Sequence, residues 1–393
     1  MAGKQSMTKR YCKNVDITDL DFIQYCIWDC LDHKHKVDQT RPDTRRIIRT
    51  YGTVQNIAVE MRKCIINRNL NLPPIYRKTV HDRNNGKLRE LAVEDLWQQF
   101  FDYVATNALK DAMQRIGYYQ TGCVVGKGQT WAREQLQLFM RDSRYCTKSD
   151  IKKCYPSIPQ EKLMEYLKKI LKNDPLIWLI GELIHHSCPD GGIPIGSRLS
   201  IVLLQLYMSR LYHYVTEGCY KVHGKREPKR VNLVKHILIF MDDVFMFSDN
   251  ARDLHKAESM AMEFLNNNMG IHFKPDWTTL DCSNSALDAV GFKISREYIK
   301  MRRCNYLKTR KAIRDFNRNP SFENAQNLVS HSTNIKFTNS YHFRQKYGWK
   351  KSAKRARRII SNESKILASN GSGHDYHRWQ YILCPTVFEW NYR

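Results

Sequence analysis

No stretch of this sequence approaches the roughly 20 apolar residues that a bilayer-spanning helix needs. The best candidate, Leu176 to Ile184, is short and interrupted by Glu182. No internal repeat and no long low-complexity tract occurs, so nothing points to a repeat architecture. Paired cysteine spacing is missing too, although there are 12 cysteines. Met1 to Arg10 is polar and basic rather than signal-like, so a cytoplasmic, reduced protein is expected, with cysteines serving as small core residues. Cys26, Cys30 and His33 share helical spacing and could hold zinc. The pattern Phe22, Ile23, Cys26, Ile27, Cys30, Leu31 equally describes an amphipathic helix packing inward. Acid is the scarce charge: 39 Asp and Glu face 64 Lys and Arg, a net +25 over 393 residues. Such a chain is drawn to polyanions, chiefly nucleic acid, a signal shared with ribosomal and membrane-surface proteins. Its length suggests two or three subdomains.

Against that scarcity, the placement of three acids is informative. Asp242 and Asp243 stand side by side in the apolar run Ile237 to Phe247. That run reads as a largely buried strand, where adjacent carboxylates would repel and lose hydration unless a divalent cation offset the cost. A turn or strand end leaving both in water is the other reading. Thr147 to Ile158 reads as a short strand ending near Asp150, then a turn into a helix from about Pro159, on the spacing of Glu161, Leu163, Met164, Tyr166, Leu167 and Ile170. A neighbouring strand would bring Asp150 to Asp242 and Asp243. Hard oxygen ligands suit Mg²⁺, and two such ions would clamp an in-line phosphoryl displacement. Gly191 to Ser200 is a Gly- and Pro-punctuated loop leading into an apolar helical run, either a close backbone approach to a flat ligand or an ordinary tight turn. Thr79 to Leu91 reads as a β-hairpin around Asn85-Gly86, with Lys87 and Arg89 on one face.

In this order the segments resemble the reverse transcriptase family over roughly residues 80–310, and in particular a divergent bacterial member. Asp150 to Tyr155 is similar to its first catalytic motif, Pro194-Ile195-Gly196 to Ser200 to its template- and nucleotide-positioning motif, and Phe240-Met241-Asp242-Asp243 to its aromatic-x-Asp-Asp signature. Gly270 to Lys274 is similar to the lysine-bearing motif near the triphosphate, and Val290-Gly291-Phe292 to the primer grip. Lys87 to Leu91 and Gly122 to Gly128 resemble fingers segments. Ile195 stands where many members have Gln, and Ile201 where many have Pro. Diversity-generating members share the aliphatic residue at the first position but usually carry Gln at the second.

The resemblance implies an α+β chain of right-hand polymerase architecture with fingers, a ferredoxin-like palm and a helical thumb. Expected limits are 1–75 for a helical N-terminal extension with a basic stretch at Arg41 to Arg49, and 76–145 for fingers joined by part of 176–200. The palm would span 146–295, the basic thumb 296–362 and the tail 363–393. The implied activity is RNA-directed DNA synthesis on a dedicated non-coding RNA, in antiphage defence or else diversity generation. Template-independent or protein-primed synthesis and an inactive RNA-binding scaffold are the alternatives. Implied metal positions are Asp150, Ile151, Asp242 and Asp243, holding two Mg²⁺ with Mn²⁺ as a substitute. Implied nucleotide positions are Lys87, Arg89, Tyr155, Pro194, Ile195, Gly196 and Lys274. Tyr155 would exclude a 2′-hydroxyl, or be an ordinary core aromatic, and Lys274 would protonate pyrophosphate or touch a phosphate. Ser200, Gly291, Phe292, Arg302 and Arg303 would meet primer or template. Expected partners are structured RNA, cDNA and dNTPs, with a protein partner or a second copy of the chain as further possibilities and no membrane.

Overall fold

The computed structural model describes residues 9–33, 42–81, 88–224 and 228–369. The chain begins with helices α1 (Leu20–His33), α2 (Pro42–Tyr51) and α3 (Val54–Ile66). Ile23, Cys26, Ile27 and Cys30 of α1 are fully buried, which settles that face as packing surface, and Cys26 Sγ accepts a hydrogen bond from Asn107 Nδ2 (3.4 Å). Among the described residues no trio of His, Cys, Asp or Glu forms a ready metal cage there. Strands β1 (Tyr76–His81) and β2 (Leu88–Val93) form an antiparallel pair with Thr79 opposite Glu90. The expected Asn85-Gly86 turn and Lys87 lie outside the described residues. Helix α4 (Leu96–Ala108) follows, capped by the Asp95 carboxylate on the Trp97 N–H (2.9 Å).

The central part runs β3 (Gln120–Thr121), α5 (Gln129–Asp142), β4 (Tyr145–Asp150), the single turn α6 (Cys154–Ser157), α7 (Gln160–Ile170), α8 (Asp174–Ser187) and α9 (Arg198–His213). It continues through β5 (Tyr220–His223), β6 (Lys229–Asn232), β7 (His236–Phe240), β8 (Asp243–Ser248), α10 (Ala251–Phe264) and β9 (Thr278–Asp281). The main sheet has the order β3-β7-β8-β4-β9, with β4, β7, β8 and β9 mutually antiparallel where they meet. Omitting β3, the path β4–helices–β7–β8–α10–β9 with spatial order β9-β4-β8-β7 is the ferredoxin-like split βαβ arrangement. The fold is therefore α+β, as expected.

Of the two readings of Ile237 to Phe247, the turn holds: the segment is a hairpin, β7 and β8, turning at Met241-Asp242, with Asp242 and Asp243 partly buried rather than left in water. Both its faces are covered, so polar alternation is absent. Ile237, Ile239, Val244 and Met246 join the core with α7, α9 and α10. Leu238, Phe245 and Phe247 join a second core with Ala132, Leu136, Phe139 and Met140 of α5. Each such buried side chain contributes about 1.5–3 kcal/mol relative to exposure. In the same packing, β3 pairs with β7 and α5 covers the sheet, so residues 120–142 pack onto the strands that carry the acids.

Strands β10 (Leu287–Ala289), β11 (Phe292–Ile294) and β12 (Ile299–Met301) form a small antiparallel sheet on the second core. Helices α11 (Arg303–Arg318), α12 (Phe322–Lys336), α13 (Tyr341–Lys346) and α14 (Trp349–Ser369) enclose a third core around Phe316, Leu328 and Ala356. Asn339 joins this bundle to the palm side: its N–H donates to Ile299 O (2.9 Å) and its Oδ1 accepts from Ile299 N–H (2.8 Å). Among the described residues no helix is long and apolar enough to cross a membrane.

Candidate active site

Register brings the acids together. Asp150 ends β4 directly opposite Asp243, the first residue of β8, and Asp242 sits in the turn just before it. The Ile151 N–H donates to Asp242 O (3.1 Å), so the turn is stitched to the end of β4. Met241, the first turn residue, takes φ +57, a left-handed conformation that is uncommon for a side chain of its size. Its N–H donates to Thr121 O (3.3 Å), and Gln205 Nε2 donates both to Thr121 O (3.0 Å) and to Met241 Sδ (3.3 Å). Gly122 closes the other side: at φ +117, any Cβ there would fall 2.7 Å from the Met241 side chain.

A lysine arrives by the same kind of backbone pairing. Phe273 bridges Ile151, the Lys152 N–H donates to His272 O (2.8 Å) and the Lys274 N–H donates to Asp150 O (2.8 Å). Lys274 Nζ then donates to Asp150 Oδ2 (2.5 Å). Burial resists ionisation of Asp150, but hydrogen bonds with Asp243 and Lys274 overcome it and hold its carboxyl below the usual range. Burial, then the bond to Asp150 and its charge, push Asp243 up, and burial with the Asp150 charge also raises Asp242. Burial depresses the Lys274 ammonium, but the bond to Asp150 and its charge outweigh that and raise it. Asp150 and Asp243 therefore titrate as a coupled pair, Asp150 held low by its hydrogen bonds and Asp243 pushed up by burial and its neighbour.

This arrangement fits a divalent cation. Asp150 Oδ1 is buried without a partner, and the donors are all hard oxygens. Among the described residues no group of three or more His, Cys, Asp or Glu forms a metal cage by itself; Mg²⁺ is commonly held by one or two carboxylates with water and phosphate oxygens completing its shell. Ile151 is buried and could reach an ion only through its carbonyl.

The nucleotide side is built from the loop before α9. Ile193 N–H donates to Tyr155 O (3.0 Å), and Gly192, at φ +79, leaves no room for a Cβ against Pro156 O (2.7 Å). Ile195 O accepts from the Ala92 N–H of β2 (3.0 Å), which ties the loop to the hairpin carrying Arg89. Ser197 caps α9 and donates to Asp102 Oδ2 (2.6 Å). Tyr155 is half-buried, its hydroxyl pushed up by burial and by the nearby Cys154, Cys123 and Asp242, with Arg89 opposing. Arg89 also acts electrostatically on Asp242. Tyr155 and Arg89 thus lie within electrostatic reach of Asp242, while Ile195 and Gly196 keep surface on the loop tied to β2.

Other expected contacts are corrected. Ser200 is enclosed in the α9 packing at 0% exposure, and Pro194 is buried within the loop it shapes. Phe292 belongs to the second core beneath the Arg133 guanidinium (5.6 Å), so only Gly291 of that turn keeps some exposure. Arg302 is ion-paired with Asp288 Oδ1 (2.5 Å), while Arg303 is exposed at the start of α11. Lys148 was overlooked, although the two-residue strand period places it on the Asp150 side. It acts on both Asp150 and Asp243 and donates to Asp288 O (3.0 Å). Nothing in the sequence marks Gln205.

The family model described as reverse transcriptase (RNA-dependent DNA polymerase) matches residues 80–307. No curated protein matches the chain. Two solved structures similar to it are of apo telomerase from Candida tropicalis. One, truncated from its C-terminal domain, has TM-score 0.42 and 13% identity, covering 59% of this chain and 55% of that one. The other has TM-score 0.45 and 13% identity, covering 80% of this chain and 61% of that one. This chain therefore spans less than two thirds of either.

Proposed function

The chain belongs to the reverse transcriptase family, and from that premise we propose that it copies RNA into DNA at the carboxylates of β4 and the β7–β8 turn. The observation that carries this reading is the register Asp150 opposite Asp243, with Asp242 in the intervening turn. Asp150, Asp242, Asp243 and the Ile151 carbonyl would hold two Mg²⁺, which Mn²⁺ could replace. When bound, such ions neutralise charge on the attacking and leaving oxygens of a nucleotidyl transfer. The protein's share is positioning and a prearranged field. Lys274 lies against Asp150, within reach of a triphosphate held at the acids, and Arg89 adds positive charge from the fingers side. Tyr155, whose carbonyl accepts from the Ile193 N–H, would wall the sugar and disfavour a 2′-hydroxyl. Tyr155→Ala should raise ribonucleotide incorporation relative to deoxynucleotide. Unchanged selectivity in paired extension assays would remove that role.

The template we propose is a dedicated non-coding RNA, and the setting antiphage defence in a bacterial cytoplasm, with cDNA as product. The departures at Ile195 and Ile201 support a specialised member of the family. Purification from the host followed by sequencing of bound RNA and DNA tests this. One dominant RNA with complementary DNA is expected. A random sample of cellular transcripts would contradict it.

A further inference from the structure

We infer that the outward face of α2 is a phosphate-binding site, separate from the carboxylate cluster. Pro42, Arg45, Arg46, Arg49 and Thr50 line a shallow cavity of about 420 Å³. Residues 45 and 49 are one helical turn apart and 46 and 49 nearly so, which gathers three guanidiniums on one patch. Arg46 is ion-paired with Asp95, whereas Arg45 and Arg49 have no carboxylate partner among the described residues. The nearest acid in the helix, Asp43, turns its carboxylate to the Thr44 N–H (2.9 Å) and does not line the cavity. Thr50 spends its hydroxyl proton on Arg46 O (3.0 Å), so recognition falls to the guanidiniums.

The patch stands on a rigid base. Thr44 and Ile47 are buried, and Tyr51 stacks on Trp97 (5.1 Å between rings, 12° between planes). Two guanidiniums without a carboxylate partner, beside a third fixed by Asp95, offer planar forks that suit phosphate oxygens. The ligand class is a phosphate group, supplied by a nucleic-acid strand or by a free oligophosphate. The Asp95 that pairs with Arg46 also caps α4, two residues after β2. Occupancy would therefore be felt at the root of the strand that carries Arg89.

The test is binding by the intact chain, so its outcome does not depend on whether the protein polymerises. Arginine modification by phenylglyoxal, mapped by mass spectrometry, is followed with no ligand, with a short single-stranded RNA and with inorganic tripolyphosphate. Both Arg45 and Arg49 should be slowed several-fold, and clearly more than exposed Arg318. Protection by RNA identifies a strand as the source of the phosphate, and protection by tripolyphosphate alone identifies a free oligophosphate. The variant Arg45→Ala/Arg49→Ala, which keeps the Arg46–Asp95 pair, should lose affinity for the protecting ligand several-fold. For RNA, the slope of log affinity against log salt should become shallower by about 1.4. If neither ligand slows Arg45 and Arg49 beyond Arg318, the site does not exist.

Discussion

Asp150 and Asp243 face each other as a coupled carboxylate pair, and burial with the Asp150 charge resists ionisation of Asp243. Asp243→Asn keeps the size of that side chain and removes the resisted charge. That substitution should leave stability in a chelator within about 0.5 kcal/mol of wild type, while lowering extension with Mg²⁺ by about 10²-fold or more. Thermal melts and single-turnover extension separate the two effects, and a variant with wild-type activity would remove Asp243 from the ligand set. A second buried acid behaves differently. Glu258 of α10 is fully enclosed, accepts from Ser149 Oγ (2.5 Å) and leaves Oε2 without a partner. Burial raises its carboxyl above 4.5, against the bonds from Ser149 and Thr147. With the folded value above the unfolded one, its stabilising contribution is complete below the unfolded value and is lost as pH rises through the folded value. Glu258→Gln should thus gain on wild type in melting temperature as pH rises above the ordinary Glu value of about 4.3 and on through the raised folded value. Parallel melting-temperature curves would show that the carboxyl ionises without cost.

At the scale of elements, the β7–β8 turn and the loop before α9 depend on close backbone approaches as well as on the bonds of Gln205 and Ser197. Gly122→Ala would push a methyl into Met241 and force φ +117 on a residue that resists it. A displacement of the acids by about 1 Å can cost about 10²-fold in rate, so kcat for extension should fall by that order with nucleotide KM less affected. Wild-type kcat would show that the turn is held elsewhere. The acids were legible in the sequence because charge inside an apolar run conflicts with burial, and their register followed once β4 and β8 were neighbours. The hairpin was legible only as one of two readings: Met241-Asp242 contains none of Gly, Pro or Asn, and strands covered on both faces lose the alternation that shows where they end. Strand β3, two residues long, and the exposed β5–β6 ribbon carry too few residues for any period to register. Ser200 and Phe292 were misplaced because position within a motif does not say which way a side chain faces. The buried face of α9 and the second core decide that.

Across the whole molecule, charge and architecture point to one ligand class. Part of the net +25 lies on α14, where Ala353, Ala356 and Ile360 face inward while Lys350, Lys354, Arg357 and Arg358 are exposed. Lys350→Ala/Lys354→Ala should weaken binding of an RNA–DNA duplex and make its salt slope shallower by up to about 1.8. Anisotropy titrations over a salt series would measure this, and an unchanged slope would place the duplex away from α14. The most direct measurement is primer extension with dNTPs and Mg²⁺ on a defined RNA template, comparing wild type with Asp150→Asn and with Asp242→Asn. The account predicts extension by the wild type that copies the template, stops when RNA or Mg²⁺ is withheld, and is absent from both variants. Template-copying synthesis by either variant would contradict it.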